Sequence, residues 1–180
     1  WVSLLLHGSW TEQTCGGTPI PVRQPVLATA ESWARNPQCR LVLGEGEESD
    51  VELCVTLQQP DARMRPGSPF PFEDRLRELF VCVLRLDDPS ERLVVFDKRR
   101  IHRSGTQSAA SLLSRRREVL LRTRLPCPGS YAIVPSTREP ELGGATQAPF
   151  LLSLHLRCKP DLIKVDAPPT EGWAPVQEKQ

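Results

Sequence analysis

A chain of 180 residues, 39% of them hydrophobic, is the size of one domain and can bury a core of its own. A formal net charge of +1 leaves no global field to draw it to nucleic acid or to a membrane, so any electrostatic partner must meet a local patch. Long helices are excluded too, because 18 prolines and 11 glycines cut the sequence into short blocks.

From the N-terminus onward those blocks read as strands. The apolar run at residues 2–6 is too short, and too soon broken by His7, Gly8 and Ser9, for a signal segment, and residues 4–10 are expected as a first strand. Residues 39–43 (CRLVL) predict a second, and residues 51–57 alternate with Val51, Leu53, Val55 and Leu57 on one face. Residues 79–86, 93–96, 131–134 and 150–156 have the same character. Residues 108–125 lack Gly and Pro and can be drawn as a basic amphipathic helix. From Glu118 on, however, Val119, Leu121, Thr123 and Leu125 alternate with Leu120, Arg122 and Arg124, which favours a strand preceded by a loop or short helix. Pro126, Pro128 and Gly129 then mark a turn, Tyr131, Ile133 and Pro135 share a face, and Pro140 closes the next turn.

Short strands between frequent turns predict an all-β, antiparallel β-sandwich. Residues 60–71 and 98–110 are expected as long connections. Residues 1–158 are assigned to the sandwich, and residues 159–180, with Pro160, Pro168, Pro169 and Pro175 and little aliphatic periodicity, to a Pro-rich linker or tail. No stretch approaches the roughly 18 apolar residues of a membrane span, so a soluble chain without a transmembrane segment is expected. Trp1 in place of an initiator Met suggests a domain excised from a longer protein.

Catalytic motifs are lacking. His7, His102 and His155 stand in no arrangement that would orient a base or a metal ligand, and there is no P-loop, GxSxG or HExxH. The six cysteines are scattered without a CxxC, which argues against zinc and against a redox dithiol. Cys39, Cys54, Cys82 and Cys158 sit in or beside apolar runs, as reduced thiols of a cytosolic protein would.

Two charged clusters remain. Glu45, Glu47, Glu48 and Asp50 lie between two strands, and an oxygen-rich loop of this kind can bind calcium, act as an electrostatic latch against basic residues of a neighbouring domain, or simply be solvated. No other cofactor is required. Arg115, Arg116, Arg117, Arg122 and Arg124, with Lys98, Arg99, Arg100 and Arg103, form the densest positive patch, and 19 of the 23 basic residues are arginine. Arginine holds carboxylates and phosphates in a bidentate fork, so the patch suits anionic phospholipid or an acidic protein partner, unless it is a solvated face. Nucleic acid is not expected, because no aromatic residues are interleaved with these charges.

Several motifs line up in order: HGSW at residues 7–10, TCGG at 14–17, NPQCRLVL at 36–43, REVLLRTRLPCPGSYAIVPSTREP at 117–140 and FLLSLHL at 150–156. Together they resemble the C2-like third domain of the calpain cysteine proteases. The resemblance implies an eight-stranded antiparallel sandwich that adjoins a protease core in the same polypeptide. It further implies a regulatory and scaffolding role, with calcium and phospholipid responsiveness, in a cytoplasmic and peripherally membrane-associated protease. The catalytic Cys, His and Asn of such a protease lie on another domain, so this chain is not expected to cleave peptides. A calcium-independent domain that recruits substrates or partners through the arginine face is the alternative. Cys15 replaces the family's Ala before the Gly pair, Arg138 replaces an aromatic residue, and the acidic loop is shorter than in conventional members. These departures point to an atypical calpain.

Overall fold

A computed structural model describes residues 1–20, 28–46, 49–60, 76–143 and 145–174. In chain order its elements are β1 (Val2–Thr11), a one-turn helix α1 (Ala30–Trp33), β2 (Cys39–Leu43), β3 (Asp50–Gln58) and β4 (Leu79–Arg85). A short hairpin follows, β5 (Arg103–Ser104) and β6 (Gln107–Ser108), and then β7 (Glu118–Pro126), β8 (Gly129–Thr137), β9 (Gln147–Arg157) and β10 (Ile163–Asp166). One four-stranded sheet has the order β1-β9-β3-β7 and the other β10-β2-β8-β4, with every pairing antiparallel. The eight-stranded sandwich is therefore present, with the β5–β6 hairpin added to it.

Alternation decides the inner faces. Val51, Leu53, Val55 and Leu57 of β3 stand opposite Leu125, Thr123, Leu121 and Val119 of β7, and all eight are buried. The strand expected over residues 118–125 is thus real, and its pattern of period two wins over the helical alternative. Strand β8 is buried on both faces from Tyr131 to its end. Tyr131 and Ile133 join the core between the sheets, while Ala132 and Val134 join a second cluster with Phe80, Cys82 and Leu84 of β4. Trp33 and Leu93 cover that second cluster, and the Trp33 ring meets Phe96 edge-on at 5.0 Å. Thr29 and Ser32 close a capping box that fixes α1 over the sheet.

Two expectations are corrected. Residues 93–96 are not a strand. The Leu93 N–H donates to Gln38 Oε1 at 2.9 Å and its C=O accepts from Gln38 Nε2 at 2.8 Å, so a buried side-chain amide replaces the neighbouring strand. Residues 159–174, expected as a linker or tail, belong to the fold. Strand β10 pairs with β2, with Val165 opposite Leu41, and Arg40 Nε donates to Asp166 at 2.9 Å. Farther on, Gly172 C=O accepts from Ser9 N–H and Ala174 N–H donates to His7 C=O, each at 2.8 Å, and Trp173 packs on Phe150 at 5.2 Å. Ile163, Val165, Ala167 and Trp173 make this attachment, and their spacing among prolines hid it. The connection at residues 98–110 contains a 3-10 turn (Lys98–Arg100) and the β5–β6 hairpin. The one predicted from residue 60 onward lies, past Pro60, outside the described residues.

Candidate functional site

The most distinctive sequence motifs converge on one structural knot. Buried Asn36 accepts from Gly16 N–H at 3.1 Å and donates to Gly17 C=O at 2.8 Å and to Trp33 C=O at 2.9 Å. Thr18 Oγ1 lies 2.9 Å from Ser136 Oγ, and Trp10 Nε1 donates to Pro135 C=O at 3.3 Å. A Cβ at Gly16 would come within 2.2 Å of Ser32 C=O, and Gly17 has φ +68°, so the glycine pair is required by close approach and by turn geometry. These residues build the corner between α1 and the second sheet and present no reactive group to solvent. Cys15 is sealed in the same knot, its Sγ 3.5 Å from Thr137 Oγ1, and burial pushes its thiol up, away from the reactive thiolate. Burial raises the Cys82 thiol as well.

Arg138 directly follows β8. Its Nη1 lies 3.1 Å from the carboxylate of Glu78, which is 5% exposed, and its backbone N–H donates to Glu78 C=O at 3.0 Å. The charge is therefore accommodated by a nearly buried acid reached across 60 positions of sequence.

Of the acidic cluster, Glu45 and Asp50 are exposed, whereas Glu47 and Glu48 lie outside the described residues. Among the described residues no three His, Cys, Asp or Glu side chains come together as a metal-binding group. The base of the loop is pinned by Gly44, whose N–H donates to Leu162 C=O at 2.8 Å and whose C=O accepts from Cys127 Sγ at 2.6 Å.

The basic clusters meet along one edge of the sandwich. Arg115, Arg116 and Arg117 are exposed just before β7, and Arg122 and Arg124 follow on its outer face. Gln59 positions the start of this run: its Nε2 donates to Arg116 C=O at 2.7 Å and to Arg77 C=O at 2.9 Å, and its backbone N–H donates to Arg117 C=O at 2.9 Å. Arg122 pairs with Glu52 on β3 at 2.8 Å. Lys98, Arg99 and Arg103 are exposed, but Arg100 is engaged by Glu91 at 2.6 Å and by Asp87, so it contributes less to the patch than its sequence position suggests. His102 joins the two clusters. Its backbone N–H donates to Val83 C=O of β4 at 2.9 Å and its Nε2 donates to Arg124 C=O of β7 at 2.6 Å, so it bridges the two sheets. The ring is buried edge-on to Tyr131 at 5.7 Å. No motif marked His102 for this role, because the partner is a backbone carbonyl of another sheet.

Beside the arginines lies a groove of about 890 Å³ between residues 111–114 and the start of β7, lined in part by Leu112, Leu113, Arg116, Arg117 and Leu120. Leu112 and Leu120 are 86% and 57% exposed. Sequence reading missed the groove, since it depends on which strand lies at the sheet edge.

Two packed antiparallel sheets with charged loops and edges define an all-β sandwich module. The family described as calpain large subunit, domain III, matches residues 6–154, and the chain belongs to that family. No curated protein matches it. Domain III is a non-catalytic domain of calpain proteases, so the chain itself is not catalytic, and membership implies packing with other domains of the same protease. Among the described residues no helix is long and apolar enough to cross a membrane.

Proposed function

We propose that this domain is a regulatory and scaffolding module of a cytoplasmic calpain-type cysteine endopeptidase, seated on the protease core and positioned there by its charged surfaces. The observation that supports this is the gathering of Arg115, Arg116, Arg117, Arg122 and Arg124 on one edge, joined through His102 to the Lys98–Arg103 region, in a chain of net charge +1. This edge faces acidic surface on a neighbouring domain, and the loop of Glu45, Glu47, Glu48 and Asp50 faces basic surface. Calcium at the acidic loop, or anionic phospholipid at the arginines, weakens one set of contacts and shifts the domain, the differential affinity that a switch requires. In the parent protease, Arg115→Ala, Arg116→Ala and Arg117→Ala together are expected to weaken sedimentation with anionic vesicles several-fold at low salt and to shift the calcium dependence of proteolysis, with unchanged thermal stability. Unaltered vesicle binding and calcium response would refute it.

The groove beside Leu112 and Leu120 favours a second reading, in which the same edge recruits a protein partner without calcium.

A further inference from the structure

Successive residues of a strand direct their N–H and C=O groups to opposite edges. Arg117 C=O accepts from Gln59 on the β3 side of β7, whereas Arg124 C=O accepts from His102 on the far side. Leu120 and Arg122 share the parity of Arg124, so their N–H and C=O groups point away from β3. Among the described residues these groups meet no hydrogen-bond partner. An open strand edge beside exposed leucines invites pairing with another chain. The exposed side chains of Arg122 and Arg124 on this outward face are complementary to a partner strand that carries carboxylates.

We propose that the open edge of β7 takes an extended acidic peptide of a partner protein by strand addition. This deepens the recruitment reading given above and rests on it. Main-chain hydrogen bonds to Leu120 and Arg122 supply affinity, and the outward side chains supply selection. Outward positions recur every second residue, so the partner strand carries an apolar residue against Leu120 and acidic residues at the two-spaced positions against Arg122 and Arg124. Leu112 extends the apolar contact across the groove, and Arg116 attracts a further carboxylate at its wall. Glu118, held by Gln58 Nε2 at 3.0 Å, repels acid at the start of the strand and so helps set the register. Arg122 also pairs with Glu52 from the β3 side, so the incoming carboxylate shares it.

The test uses the full chain and a fluorescein-labelled hexapeptide in which Asp, Glu and Leu alternate with Thr, followed by fluorescence anisotropy. Methylating alternate backbone nitrogens of the peptide is expected to weaken binding about tenfold, the loss of one or two hydrogen bonds. A lysine version of the peptide is expected not to bind. Leu120→Pro removes the outward N–H and leaves the β3 ladder intact, and is expected to weaken binding by about as much. Should that variant fold poorly, hydrogen exchange on the unaltered chain gives the same answer, with the Leu120 and Arg122 amides slowing about tenfold when the peptide is added. Equal binding of the methylated peptide and of polyglutamate would show that charge alone acts, overturning strand addition while sparing the recruitment reading. No binding of any acidic probe would overturn both.

Discussion

Tyr131 is the only tyrosine of the chain, so its ionisation can be read without interference. Its ring is buried in the core, and the hydroxyl donates to Pro126 C=O at 2.7 Å. Burial, which disfavours the phenolate, pushes its pKa up to about 12, with Arg85 opposing and Cys127 and Asp50 adding to the rise. Because the folded value lies above the unfolded one of about 10, the stabilisation is fully present below pH 10 and is lost as the pH rises through 12. Near-ultraviolet absorbance of the phenolate is therefore expected to appear close to pH 12 in the native chain and close to pH 10 in urea. A native titration at the unfolded value would mean that the ring is solvated. Single residues were legible in the sequence where their role is steric: Gly17, Asn36 and Trp10 all sit in the knot that their motifs marked. Arg138 was legible only as an anomaly, because its compensating acid, Glu78, is distant in sequence.

Elements were legible in proportion to how one-sided their burial is. Strands β3 and β7 each bury one face, so their alternation spans the whole strand and fixes the register. Strand β8 runs from Gly129 to Thr137, yet only residues 131–134 looked like strand, because burial on both faces removes the alternation. Residues 93–96 failed for the opposite reason. Leu93 and Phe96 serve the outer cluster while Val94 and Val95 stay exposed, and the backbone hydrogen bonds of Leu93 go to Gln38, which a sequence pattern cannot reveal. Gln38 is fully buried, so Gln38→Ala strands the N–H of Leu93 and leaves its C=O only the longer 3.4 Å bond from Arg92 Nη1; it is expected to cost about 2 kcal/mol, measured by urea denaturation. An unchanged midpoint would mean that water replaces the amide. The arginine cluster was legible as composition, whereas its meeting with the Lys98–Arg103 region required the His102 bridge, and the groove required β7 to be an edge.

At the scale of the whole molecule, residues 163–174 act as a strap over both sheets. Strand β10 completes one sheet at the edge of β2, and Gly172, Trp173 and Ala174 then reach the free edge of β1 in the other. Trp173 is 3% exposed and meets Phe150 edge-on, and Phe150 itself lies against Trp10 at 4.3 Å, so the strap ends inside the common core. Gly8 allows this packing, since a Cβ there would fall 2.3 Å from the Phe150 ring. Truncating a buried Trp typically costs about 3–5 kcal/mol, against a total stability of about 5–15 kcal/mol for a domain. Trp173→Ala is therefore expected to lower the urea midpoint sharply while leaving a single transition, because the lost contact belongs to the core that both sheets share. Ending the chain at Cys158 removes β10 as well and is expected to cost more. Hydrogen exchange discriminates the mechanism: if the strap holds both sheets, amides of β1 and of β2 lose protection together in the Trp173 variant. Faster exchange confined to β1 would show that residues 172–174 merely dress one edge.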